Sequence, residues 1–313
     1  MVGRDILRGA VDMHVHCGPE AIPRKYHAKD LAQLVREFGM ETLVIKSHFT
    51  YTSDWALMAF RETGIRIYGS VTLNHHVGGI NPYALRAALG PQEDGAGFLK
   101  VVWMPTIHSP AHLEMQRRHG HEMDIPPEWT GGKPAHTASS IGAINPIFIR
   151  SPEVLPLLDE VLGIISEHDL VLATGHLGAK EAIFLVERAR ERGVKKILLT
   201  HPLYEATALS IEDLKRLVGR DTFVEQSYAL HTIDHIPFEV MARYIREVGA
   251  QYCVLTSDLG QISMPPPPEG LLDFIHHLME EGIREEEVLR MIRDNPKYLL
   301  GIESSSIPSS SAL

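Results

Sequence analysis

His14 and His16 stand one residue apart in the stretch VDMHVHCGPE, residues 11–20. On an extended chain side chains alternate, so both imidazoles project to the same side. Two neutral imidazoles side by side are half of a divalent metal site, because zinc takes histidine nitrogen and carboxylate oxygen together. The pattern alone says little: with 18 His in 313 residues, a His-x-His pair arises about once by chance. A second pair, His119 and His121 in RRHGHE, sits beside two arginines in an irregular stretch and reads as surface or lid residues. The first pair differs in its company. His176, His201 and Asp258 each follow a short apolar run, as do Lys46, His48, His75 and His76, while Glu225 and Lys100 lie inside such runs.

These runs are the elements that must position the chemistry. Eight segments rich in Val, Ile, Leu and Thr read as strands: 10–16, 41–48, 65–74, 97–106, 170–176, 196–202, 222–228 and 251–258. Helical patterns fall between them. Residues 28–39 put Leu31, Leu34, Val35 and Phe38 on one face and end at Gly39. Residues 53–64 run from Ser53 to Gly64, residues 151–168 open with a Ser151 cap and Pro152, and residues 210–219 carry a capping box from Ser210 to Asp213. Eight β–α units in succession predict parallel strands, and eight is the number that closes a (β/α)8 TIM barrel; an open doubly wound sheet is the competitor. In a barrel the strand ends carry the chemistry, and the polar residues collect there. On the first strand, period-2 spacing sets Asp12, His14 and His16 on one side and Val11, Met13 and Val15 towards the helices. The domain is expected to span 1–302, with 107–150 as a long lid-like insertion after strand four, rich in Gly, Pro and His. Residues 303–313, ESSSIPSSSAL, read as a flexible tail.

Bulk properties exclude several classes. A net charge of −10 argues against nucleic acid, whose phosphates demand Lys and Arg. No apolar run of 18 residues predicts a membrane span, and the N-terminus lacks a secretory h-region. Two cysteines give no disulfide framework, and a cytoplasmic location is the expectation. Cys17, next to the histidine pair, reads as a small buried thiol rather than a nucleophile.

Taken in order, DMHVH, ATGH, LLTHP, LTSD and the closing NPKYLLGI resemble the amidohydrolase superfamily of metal-dependent hydrolases across nearly the whole chain. The stretch AGFLKVVWMPT is similar to its phosphotriesterase-like branch, while KSHFTYT and LNHHVGGINPYA point to an uncharacterised one. The resemblance implies a distorted single-domain barrel holding one or two divalent ions: zinc first, with manganese, cobalt, iron or nickel as alternatives. His14, His16 and Asp258 would hold the buried ion, and His176 and His201 a second ion or the substrate. Lys100 stands where a carboxylated lysine bridges two ions; otherwise its stem packs and its ammonium finds a carboxylate. Lys46 is its rival, as a bridge or as a cation for a substrate carboxylate or oxyanion.

The expected reaction is hydrolysis of a small amide, cyclic amide, lactone or ester, with Asp258 passing the proton and Lys46 and His48 beside it. His75, His76 and Glu225 are expected in the substrate pocket, Glu225 alternatively as partner of a ligating histidine. Non-oxidative decarboxylation, with one ion and no bridging lysine, is the second reading. A non-catalytic metal-stabilised binding protein is the third. The partner is a small molecule, with homo-oligomerisation left open.

Overall fold

The computed structural model describes residues 3–130 and 139–302. Eight parallel-paired strands lie in the eight segments expected: β1 Val11–His16, β2 Thr42–Lys46, β3 Gly69–Thr72, β4 Leu99–Trp103, β5 Val171–Ala173, β6 Ile197–Leu199, β7 Thr222–Ser227 and β8 Cys253–Thr256. Two of them, β1 and β2, pair with each other, and the other six form one sheet in the order β8-β7-β6-β5-β4-β3. Main-chain bridges join the two sheets on both sides, Val44 to Tyr68 and Val15 to Leu259. There the Ile45 N–H donates to Tyr68 O at 2.8 Å and the His16 N–H to Leu259 O at 2.7 Å.

Helices alternate with the strands because their apolar faces need a sheet to cover. Ala28–Glu37 buries Ala28, Leu31, Ala32 and Val35 at 3–4 spacing, and Gly39 takes φ +66° just beyond its end. Ser53–Thr63 ends on Gly64 in the left-handed region. Ile211–Leu217 begins at Ser210, whose Oγ accepts from the Asp213 N–H. The Ser151 cap does not form: residues 151–154 make a turn, the helix starts at Leu155, and Ser151 Oγ is buried without a partner among the described residues. Within 107–150, taken as irregular, Pro110–Arg118 is a helix capped by Ser109. Residues 131–138 of that segment and the 303–313 tail lie outside the described residues.

Two register shifts decide which side chains meet. On β1, Val11 and Asp12 oppose Thr42 and Leu43, but Val15 and His16 oppose Ile45 and Lys46, one extra residue on β1. A bulge of this kind turns the following side chains to the other face. The strict alternation expected for β1 is therefore wrong. Val11 and Met13 belong to a core cluster with Val44, Val101, Trp103, Val171, Ala173, Leu198, Phe223 and Val254, whereas Val15 and Cys17 pack in the larger cluster with the helices. Asp12 leaves the imidazoles and accepts the backbone N–H groups of His14 and Ser257 at 3.2 and 3.1 Å. A second shift falls on β4, where Gly69 opposes Leu99 but Ser70 opposes Val101, so Lys100 is the extra residue. Leu299 and Leu300, from the last helix Asn295–Leu300, join the same cluster as Met13 and Trp103.

Candidate metal centre

His14 lies within the β1 bulge and His16 just beyond it at the strand end, and Asp258 follows β8. His14 Nε2 lies 3.0 Å, and His16 Nε2 3.1 Å, from the same atom, Asp258 Oδ1. The three side chains each offer one ligand atom, all within 4.8 Å of one another. The turn that delivers Asp258 needs Gly260, at φ +142°, because a Cβ there would stand 2.0 Å from His16 O. Burial alone would lower the His14 pKa, yet the Asp258 and Glu225 carboxylates hold it above its ordinary value. Burial pushes Asp258 up, and His14 and His16 more than offset it, keeping the carboxyl well below its usual range.

The surroundings orient these groups. Glu225, fully buried on β7, accepts from His14 Nδ1 at 2.9 Å, from Thr256 Oγ1 at 2.9 Å and from the His201 N–H at 3.2 Å. With its Nδ1 proton given to Glu225, His14 turns Nε2 towards Asp258, the arrangement of a carboxylate–histidine–metal relay. Glu225 thus sits behind the site as partner of His14 and is no lining residue of the pocket. Lys46 Nζ lies 2.9 Å from the same Nε2 and 4.3 Å over the Trp103 ring; burial lowers its pKa to about 8. His14 Nε2 can accept from Lys46 only as a bare nitrogen and donate to Asp258 only as N–H. No tautomer serves both contacts; a bare Nε2 facing a carboxylate oxygen with no proton between them is the donor pair that a divalent cation takes. The donor set fits such an ion.

Lys46, His48, His176 and His201 line the same pocket as His16 and Asp258, with Arg24, Trp129, Tyr204, Leu230 and Ile233 among the other walls. His48 Nδ1 is 2.9 Å from Thr106 Oγ1, and its ring stacks on Trp129. His176 and His201 have ring centroids 5.1 Å apart but stand outside the compact three-ligand group; among the described residues the buried His201 Nδ1 has no hydrogen-bond partner. Lys100 is not brought here. As the β4 bulge residue near the start of its strand, it sets its ammonium 5.3 Å over Tyr68, among the charges of Lys196, Asp169 and Arg66. Trp103, from the other end of β4, occupies the ground beside His14 with ring centroids 4.5 Å apart. His75 and His76 are exposed, the first donating through Nε2 to Asn145 O at 2.7 Å, the second against Phe49. His119 pairs with Glu205 at 2.8 Å, on the surface as expected. Cys17 is fully buried, and burial raises its thiol pKa.

Sequence reasoning missed Arg24 and Glu20. Arg24 Nε pairs with Glu20 Oε1 at 2.5 Å, Ser47 Oγ donates to Glu20 Oε2 at 2.5 Å, and Arg24 Nη2 donates to His16 Nδ1 at 3.1 Å. The available signal was an i, i+4 Glu–Arg pair directly after the histidine pair.

Residues 9–225 match a family described as of unknown function, DUF6282. No curated protein matches the chain. Among solved structures, a candidate 2-pyrone-4,6-dicarboxylic acid hydrolase from Pseudomonas putida aligns over 95% of this chain and 99% of its own, at 16% identity and TM-score 0.57. A Deinococcus radiodurans PTE-like lactonase variant aligns over 96% and 98%, at 14% identity and TM-score 0.58. A dihydroxybenzoic acid decarboxylase from Polaromonas, solved with manganese and 2-nitroresorcinol, aligns over 94% and 97%, at 11% identity and TM-score 0.56. These are amidohydrolase-superfamily enzymes, and at such identities the likeness shows the fold.

Proposed function

Since the chain belongs to that family of unknown function, which brings no activity with it, we propose from the site that it is a metal-dependent hydrolase of the amidohydrolase superfamily. It acts on a small amide, cyclic amide, lactone or ester and works with one divalent ion, zinc first. One observation carries the reading: His14 Nε2, His16 Nε2 and an Asp258 oxygen converge within 4.8 Å at a pocket where the Asp258 side chain retains 15% exposure.

The scaffold is read as a closed (β/α)8 barrel, supported by the bridges on both sides of the β1–β2 pair. The core cluster supports it too, drawing side chains from β1, β2, β4, β5, β6, β7 and β8 into one body. The 107–150 segment serves as a partial lid, because Trp129 lines the pocket. Buried free Cys17 and Cys253 suit the reducing cytoplasm.

A divalent ion in this site supplies Lewis acidity, polarising a carbonyl and lowering the pKa of water from about 15.7 towards 7. Asp258 takes the proton of the attacking water and returns it to the leaving group. Lys46, held on the Trp103 face, sets its ammonium against the oxyanion that develops. Glu225 keeps the His14 ring in register through its Nδ1 proton. His176 and His201, standing apart from the ligand group, position the substrate. Leu230 and Ile233 exclude water from the pocket wall.

Decarboxylation is the second reading, favoured by one finding: from β4 it is Trp103, not Lys100, that stands beside His14, so a bridging carbamate from β4 has no place. The test is a panel of esters, lactones, amides and aromatic carboxylic acids run with zinc, manganese and cobalt. Hydrolysis that chelation abolishes, with one ion per chain and a collapse of turnover in Asp258→Asn while the ion stays bound, is the expected result. Carbon dioxide release without hydrolysis selects the second reading, and full turnover after chelation excludes both.

A further inference from the structure

Arg24 is the least explained charge in the pocket. Its side chain is 1% exposed, and it lines the pocket with Lys46. A guanidinium is seldom buried without an anionic partner. Glu20 supplies one on its Nε edge, and Ser47 holds that carboxylate from behind. The fork is therefore preset: Nε faces Glu20, Nη2 faces His16, and Nη1 has no protein partner among the described residues. The contact to His16 is also provisional. An imidazole that gives its Nε2 lone pair to a metal keeps its proton on Nδ1, and has nothing left to accept from a guanidinium. Metal loading thus releases an Arg24 N–H as well as leaving Nη1 free. A planar anion with two oxygens is what such an edge binds best.

The rest of the pocket limits the shape of that anion. Ala229, Leu230 and Ile233 give an apolar wall, and Trp129 and Tyr204 add aromatic surface. Asp234 also lines the pocket, and with Glu128 and Glu205 it lines the adjoining outer chamber, which disfavours a second anionic group there. The inner pocket is narrow, with a cavity volume of about 30 Å³, and shares Trp129, Tyr204 and Ile233 with the outer chamber of about 510 Å³, so the anionic group is taken inside and the body of the molecule reaches outward.

We propose that Arg24 is the carboxylate receptor of the site and that the substrate is a compact monocarboxylate with an apolar or aromatic body. This rests on the metal-enzyme reading and adds the substrate class to it.

The experiment titrates the zinc-loaded protein by calorimetry with benzoate and with its neutral isostere benzamide, after zinc stoichiometry has been measured. Arg24→Met strands Glu20, so the double variant Glu20→Gln/Arg24→Met, which removes both charges, is run beside it. The expected result is benzoate binding at least tenfold tighter than benzamide in the parent, and that preference abolished in both variants with zinc content unchanged. Equal binding of the two probes by the parent, or an undiminished preference in the double variant, overturns the proposal. Loss of zinc from the double variant also overturns it, because Arg24 would then be part of the metal site. A parent protein that takes up no zinc fails the metal reading, a result separable from all of these.

Discussion

At the scale of single residues, Glu225 and Asp12 show what a buried carboxylate does when its neighbours differ. Glu225 faces an imidazole N–H, a hydroxyl and a backbone N–H, so it stays charged and fixes the ring behind the metal position. Glu225→Gln keeps the shape but loses the charge. Metal affinity is expected to fall about 10–100-fold, measured by competition with a chromophoric chelator; unchanged affinity would remove Glu225 from the site's design. Asp12 has hydrogen bonds from Ser257 and the His14 N–H, with the His14 charge, to set against its burial; burial wins, and its pKa rises from 3.8 to about 7. The native protein then binds a proton that the unfolded chain has released. Between about pH 4 and 7 native protons outnumber unfolded ones, so this group's contribution is present below pH 4 and lost as pH rises through 7, on the order of a few kcal/mol. Metal-free Asp12→Asn should flatten that slope, read from urea midpoints at pH 4.5 and 7. Identical slopes in parent and variant would refute it.

Among the elements, the strands were legible and their registers were not. All eight apolar runs became strands because Val, Ile, Leu and Thr at that density leave few other ways to bury themselves. A bulge has no such signature: it depends on what the neighbouring strand offers, which a single chain does not announce. That is why the helix-facing side predicted for Met13 fails, and why of the two readings of Lys100, metal bridge or packed stem, the bridge fails: one extra residue lies on β1 and another on β4. The triad of His14, His16 and Asp258 was readable because all three fall at the C-terminal ends of their strands. Arg24 was not, since its one signal, the i, i+4 spacing from Glu20, is common on any surface and names no chemistry. The turn through Gly260 belongs to this scale. Gly260→Ala places a methyl group against His16 O at a φ of +142°, and should cost at least about 2 kcal/mol while weakening metal binding. Gly97→Ala, with no atom within 4 Å of the added carbon, is the control. Equal thermal midpoints for the two variants would contradict the account.

For the molecule as a whole, the site ties distant parts of the chain together. His14 and His16 come from β1, Asp258 from the segment after β8, and Glu225, which orients His14, from β7, so an ion held by His14, His16 and Asp258 binds only the folded protein. Zinc at 100 times its dissociation constant should stabilise by about 2.7 kcal/mol, a rise of a few degrees in Tm. His14→Ala should abolish that rise in a scan with and without zinc. A zinc-dependent shift that survives the substitution would place the ion elsewhere.

Lys46, resting on His14 Nε2 beside Asp258, means that the cluster carries a positive charge of its own. The ligand group sets one carboxylate against two imidazoles and that ammonium, so no cluster of like charges depends on an ion to hold it together. Protein purified without added metal should therefore fold, stay in solution and pass every check of structural integrity while doing no chemistry. An activity screen that omits zinc from the buffer would record an inert protein, and the fault would lie in the buffer.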